Sequence, residues 1–148
     1  MKKIQGDEIV ISAISADKID LIWPLVEHHL QRVVDVAHGE LTLYSIKGRL
    51  QDGMSILITI NKGSEIIAVN TLEIRDFDSG LRALFIPITG GDYLDEWKDM
   101  FLDVAKSIAI EHGCDELRGI AVRDGWLRKL KPDGWEPLHQ IIRYKLEI

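Results

Sequence analysis

The apolar run from Leu81 to Ile88 meets Thr89-Gly90-Gly91-Asp92, and behind it Trp97, Met100, Phe101, Val104, Ala105 and Ile108 fall on one stripe. That spacing is helical, so the segment reads as a strand, a glycine turn and a helix from Asp92 to about His112. At 1.5 Å per residue such a helix spans about 30 Å, the width of a small domain, and the rest of the chain must be arranged around it. The first-turn N–H groups of a helix point outward without partners and attract an anion. Here two readings stand side by side. The Gly90-Gly91 pair either brings backbone close to a phosphate, or forms a plain turn with Asp92 as an ordinary N-cap.

The 148 residues and 46% apolar content suit one domain over residues 1–148. A net charge of -6 argues against a nucleic-acid partner, which calls for a basic surface. Cys114 is the lone cysteine, which excludes an internal disulfide and suits a reducing compartment. Lys2 and Lys3 are not followed by an apolar run, so no signal peptide is expected. No segment reaches the roughly 20 apolar residues of a membrane span, and a cytoplasmic location is expected. The histidines sit on separate elements or as the adjacent His28-His29 pair, without a recurring ligand spacing, and no metal is expected.

In chain order, Glu8 to Ile14 reads as a strand and Ile19 to Ala37 as a helix in which Pro24 marks a kink or the true start. Leu41 to Leu50 reads as a second helix. Met54 to Ile60, Glu65 to Ile74 and Leu81 to Ile88 follow on short turns as an antiparallel meander. After the long helix, Glu116 to Val122 should lie parallel to the strand before it. Arg123 to Leu130 reads as a short helix, and Ile142, Tyr144, Leu146 and Ile148 alternate with charged residues as a last strand.

This β-α-α-β-β-β-α-β-α-β order, with Gly134-Trp135 closing a short helix, resembles the GNAT superfamily of acyl-CoA-dependent N-acyltransferases. Within it the chain is most similar to GNAT-like proteins of tailed bacteriophages, some of them internal virion proteins. The residues behind that likeness are Ile22-Trp23-Pro24, His38-Gly39-Glu40, Glu111 to Cys114, Arg123 to Trp126 and Lys131 to Trp135. The resemblance implies an α/β fold: a mixed, mostly antiparallel twisted sheet of about six strands with a splayed parallel pair and helices on both faces. It implies acetyl transfer from acetyl-CoA to an amine acceptor. The alternative it carries is an inactive structural or host-interaction protein in a phage assembly, found in the host cytoplasm or the virion.

Carried over position by position, backbone contacts to the pantetheine arm fall on Phe85, Ile86 and Ile88, with Pro87 offering no N–H. The phosphate loop falls on Thr89, Gly90 and Gly91, followed by Tyr93; it is shorter than the family's and carries Asp92. The family's general-acid tyrosine falls on Leu130, which leaves Tyr144 as a tyrosine candidate. Glu73 and Glu116 are the candidates for a general base. The superfamily commonly ends in two strands and this chain has sequence for one, so an open sheet edge is expected to pair with a second copy or dock to another protein.

Overall fold

The computed structural model describes residues 8–120 and 124–147. Its elements are β1 (Ile9–Ile14), α1 (Ile19–Val36), α2 (Leu43–Gln51), β2 (Ile56–Lys62), β3 (Glu65–Asp76), β4 (Arg82–Gly91), α3 (Leu94–Glu111), β5 (Glu116–Gly119) and α4 (Asp124–Leu130). The strands form one sheet in the order β1-β2-β3-β4-β5. All neighbours are antiparallel except β4 and β5, the pair joined through α3. Parallel neighbours need such a crossover, because a tight hairpin joins only antiparallel strands.

Apolar residues on alternate faces of the strands place a helix layer on each side. Ile19, Val26 and Leu30 of α1, with Ile46 and Leu50 of α2, cover Leu57, Val69 and Ile88. On the other face Trp97, Phe101, Leu102, Ala105 and Ala109 of α3 cover Ile58, Ile60, Leu72, Leu84 and Ile86. Each such fully buried side chain stabilises the fold by about 1.5–3 kcal/mol relative to an exposed one. Several of them on α1 outweigh the roughly 3 kcal/mol cost of Pro24, which lies inside the helix rather than at its start. Thr42 caps α2: the Ser45 N–H donates to Thr42 Oγ1 at 3.0 Å and the Thr42 N–H to Ser45 Oγ at 3.2 Å. No helix among the described residues is long and apolar enough to cross a membrane.

Two expectations are corrected. Gly90 and Gly91 are not a turn; they are the last residues of β4, paired with Val69 and Ala68. A Cβ on Gly90 would lie 2.8 Å from the His29 carbonyl oxygen and one on Gly91 2.4 Å from Ala68 Cα, so both glycines serve close packing. Asp92 is not the N-cap either. The residue before α3 is Tyr93, at φ 60°, and the Asp92 side chain turns to Arg32 at 3.3 Å. The second correction concerns the chain after Trp135, where no strand forms among the described residues, and the sheet has five strands rather than six. Alternation alone does not make a strand, which needs a partner ladder; the outermost strand β5 is four residues long and offers little edge to pair with. Residues 121–123 and Ile148, which the sequence placed in strands and at the start of a helix, lie outside the described residues.

His29 ties α1 to β3, its Nε2 donating to the Ile66 carbonyl oxygen at 2.9 Å, while its Nδ1 is buried without a partner among the described residues. Burial holds its pKa below the ordinary value, opposed by the bond to Ile66. A depressed folded pKa means stability is complete above the unfolded value near 6.5 and is lost as pH falls toward the folded one. Urea unfolding should therefore weaken between pH 7 and 5.5 by up to about 1.4 kcal/mol per pH unit. The His29→Gln variant should lose that component; an unchanged pH slope in the variant would show that His29 does not cause it.

Candidate functional site

The site is organised by an irregularity in β4. Between the pairs Thr71↔Ile88 and Glu73↔Phe85, β3 advances two residues and β4 three, which places a bulge at Ile86-Pro87. Proline has no N–H to lose from the ladder, so a bulge is where a strand tolerates it. The parallel pairing with β5 stops at the same point, at Ile86↔Gly119. From Pro87 to Gly91, β4 is paired with β3 on one side and has no strand partner on the other among the described residues. The Asp92 N–H donates to the Ile67 carbonyl on β3. By alternation the N–H groups of Gly90 and Ile88 also face β3, and those of Thr89 and Gly91 face the open edge.

On the α1–α2 side of this segment lies a cavity of about 340 Å³ bordered by Glu40, Arg49, Thr71, Glu73, Arg75 and Pro87. Glu73 is 7% exposed. Its carboxylate accepts from Arg49 Nε at 3.2 Å and Nη2 at 2.8 Å, from Arg75 Nη2 at 3.2 Å, and from Ser55 Oγ. Burial pushes its pKa upward, but the hydrogen bonds of Arg49, Ser55 and Arg75 together leave it below the ordinary carboxylate value. Glu73 is therefore ionised and its oxygens are occupied, which makes it a poor proton acceptor. The Arg75 guanidinium also stacks 4.0 Å from the Phe85 ring centroid. Thr71 Oγ1, buried and bordering the cavity, has no hydrogen-bond partner among the described residues.

The start of α3 is acidic. Asp92 pairs with Arg32, Asp95 with Lys129 at 2.7 Å and Glu96 with Lys62 at 2.8 Å, and the Asp92 carbonyl accepts from Trp97 Nε1. A diphosphate placed there would meet three carboxylates beside first-turn amides that no side chain caps. The open edge of β4 fits the amide groups of a pantetheine arm; the start of α3 does not fit the diphosphate of coenzyme A.

Of the candidates for acid and base, the structure brings only Glu73 to the cavity. Glu116 is held by Arg118 at 2.6 Å and pairs with Ala83, about 13 Å along β4 from the bulge. Tyr144 is 87% exposed in a segment without regular structure. Of the residues expected along the donor arm, Phe85 and Ile86 lie within the ladder to β5, whereas Ile88 lies beyond it, as does Thr89, expected in the phosphate loop. The Thr89 hydroxyl donates to Asn70 Oδ1 at 2.8 Å, and Tyr93 lies beside Lys62, whose Nζ is 5.1 Å from its ring centroid. Arg49, Ser55 and Thr71 were not singled out by the sequence. Arg75 alone left a signal, since residues two apart on a strand share a face and Glu73 is its neighbour there.

The sequence matches no family model and no curated protein. Solved structures do match over most of the chain. A GCN5-related N-acetyltransferase from Ralstonia eutropha is 14% identical with a TM-score of 0.70, covering 93% of this chain and 99% of that one. A predicted acetyltransferase with acetyl-CoA from Clostridium acetobutylicum is 14% identical with a TM-score of 0.67, covering 93% and 96%. An aminoglycoside acetyltransferase from an uncultured soil metagenomic sample, in complex with sisomicin, is 11% identical with a TM-score of 0.67, covering 95% and 96%. At these identities the likeness is one of fold: the chain has a GNAT-like fold.

Proposed function

We propose that this protein transfers an acyl group from a thioester, acetyl-CoA in the first instance, to an amine held in the cavity beside β4. The observation that carries this reading is the bulge at Ile86-Pro87, which ends the pairing to β5 and leaves Thr89 and Gly91 N–H groups facing an open edge next to that cavity. The thioester supplies an activated carbonyl carbon. The amine nitrogen bonds to that carbon, the C–S bond breaks, and the proton shed by nitrogen balances the departing thiolate. With Glu73 saturated and Glu116 and Tyr144 away from the cavity, the chain contributes mainly by holding the two reactants in place, and the proton passes from nitrogen to the thiolate through water at the cavity mouth. Positioning alone supplies about 7–11 kcal/mol in well-oriented systems.

Because three carboxylates crowd the start of α3, the donor is held by its arm. Acetyl-CoA and S-acetylpantetheine should be used with kcat/KM values within about threefold of each other, where a strong diphosphate grip would separate them by about 100-fold or more. The check is thiol release with a panel of amines, with product identified by mass spectrometry. No acylated amine from either donor would remove the transferase reading. A second reading, a catalytically silent scaffold that docks to another protein such as a component of a phage particle or to a second copy, is favoured by the exposed apolar side chains of Ile141, Ile142 and Leu146. Sedimentation of the purified protein as a monomer, with no co-purifying partner, would count against it.

A further inference from the structure

We propose that the cavity beside β4 is built for an acceptor that carries its amine next to a carboxylate, an α-amino acid. The identification as an acceptor rests on the acyl-transfer reading; the binding itself does not. Arg49 commits Nε and Nη2 to Glu73, and Arg75 commits Nη2 alone. A guanidinium has five N–H bonds, so both retain donors, and no other acceptor engages those donors among the described residues. Glu73, buried beneath them, fixes the two side chains in one place, and two cations over one anion leave the floor of the cavity positive. Thr71 Oγ1 adds an independent sign of a missing partner: it is buried at 1% residue exposure, borders the cavity and has no hydrogen-bond partner among the described residues. A carboxylate would take hydrogen bonds from the guanidinium groups and from that hydroxyl together.

The other half of the ligand is indicated by Glu40. It borders the same cavity from the α1–α2 connection, is exposed, and its carboxylate has no partner among the described residues. A cationic floor under an anionic border is the complement of a zwitterion. A phosphate-bearing ligand would meet both Glu40 and Glu73, and a simple amine would leave the guanidinium donors unused. Pro87 and Ile88 form the β4 wall of the cavity, so an amino group held there lies against the strand whose other edge is open to a thioester.

The test is calorimetry, with amide chemical shifts as a second readout, on the full chain without thioester. The probes are the twenty common amino acids at about 10 mM, then the carboxamide and the decarboxylated amine of the best binder. The amino acid should bind, and both analogues should bind at least about tenfold more weakly. Arg75→Gln and Thr71→Val should each weaken the amino acid more than the carboxamide, which keeps an acceptor oxygen but not the charge, and Thr71→Val is expected to fold whether or not Arg75→Gln does. Equal binding of amino acid and carboxamide, or no shift at Thr71 and Glu73 with any amino acid, overturns the proposal. If an amino acid binds but is never acylated, the acyl-transfer reading fails and the site stands. If simple amines are acylated as readily as amino acids, the site proposal fails and the transfer reading stands.

Discussion

Gly91→Ala will destabilise the protein by about 3 kcal/mol or more, and it will do so with no ligand present. The glycine has φ 130°, a conformation that an L side chain rarely adopts. Its missing Cβ would lie 2.4 Å from Ala68 Cα and 2.5 Å from the Ile67 carbonyl oxygen. Both are backbone atoms of β3, so the clash cannot be relieved by turning a side chain. Relief requires opening the β3–β4 ladder where Gly91 pairs with Ala68 and where the Asp92 N–H donates to Ile67. Gly53 is the internal control, having φ 77° and nothing within 4 Å of an added Cβ. Gly53→Ala should cost only the local strain, about 1 kcal/mol. A thermal scan should place Gly91→Ala about 6–12 °C below the parent. If its midpoint equals that of Gly53→Ala, the glycine is not there for packing.

That expectation marks where the sequence was readable and where it was not. The helical stripe of α3 was legible because Trp97, Phe101 and Ala105 recur at a spacing that only one secondary structure brings to one face, and all three are buried. The meander was legible because Gly63 and Gly80 mark turns between β-branched runs, and both have positive φ. Gly90-Gly91 misled for the same reason: glycine signals a turn, a bulge or a close approach alike, and only the positions of His29 and Ala68 decide among them. The alternation from Ile142 to Leu146 describes a strand that could form, but nothing local states whether an edge is available. The cavity was the least legible part. Glu73 could be named from its strand, but Arg49 approaches it from a helix distant in sequence, and the pair is fixed by how α2 lies on the sheet.

Glu73→Ala should cost about 2 kcal/mol at neutral pH, through what it leaves behind more than through what it removes. Without the carboxylate the Arg49 and Arg75 guanidinium groups converge with no anion between them, and Ser55 Oγ loses its buried acceptor. Breaking a fully buried ion pair costs about 3–5 kcal/mol; here the arginine side chains are 42% and 45% exposed, so water screens part of the loss. The pH dependence separates the charge from the packing. The folded pKa of Glu73 is depressed, so its contribution is present above the unfolded carboxylate value of about 4.3 and is lost as pH falls through the lower folded value. Glu73→Gln keeps the shape and discards that charge, and its stability should lie below the parent at pH 7 and approach it in acid. A double-mutant cycle of Glu73→Ala with Arg75→Ala should return a coupling of about 1 kcal/mol, since the second change removes one of the stranded cations. Parallel stability curves for Glu73→Gln and the parent from neutral to acid pH would mean that the carboxylate does not hold the two arginines, and the positive floor of the cavity would then need another cause.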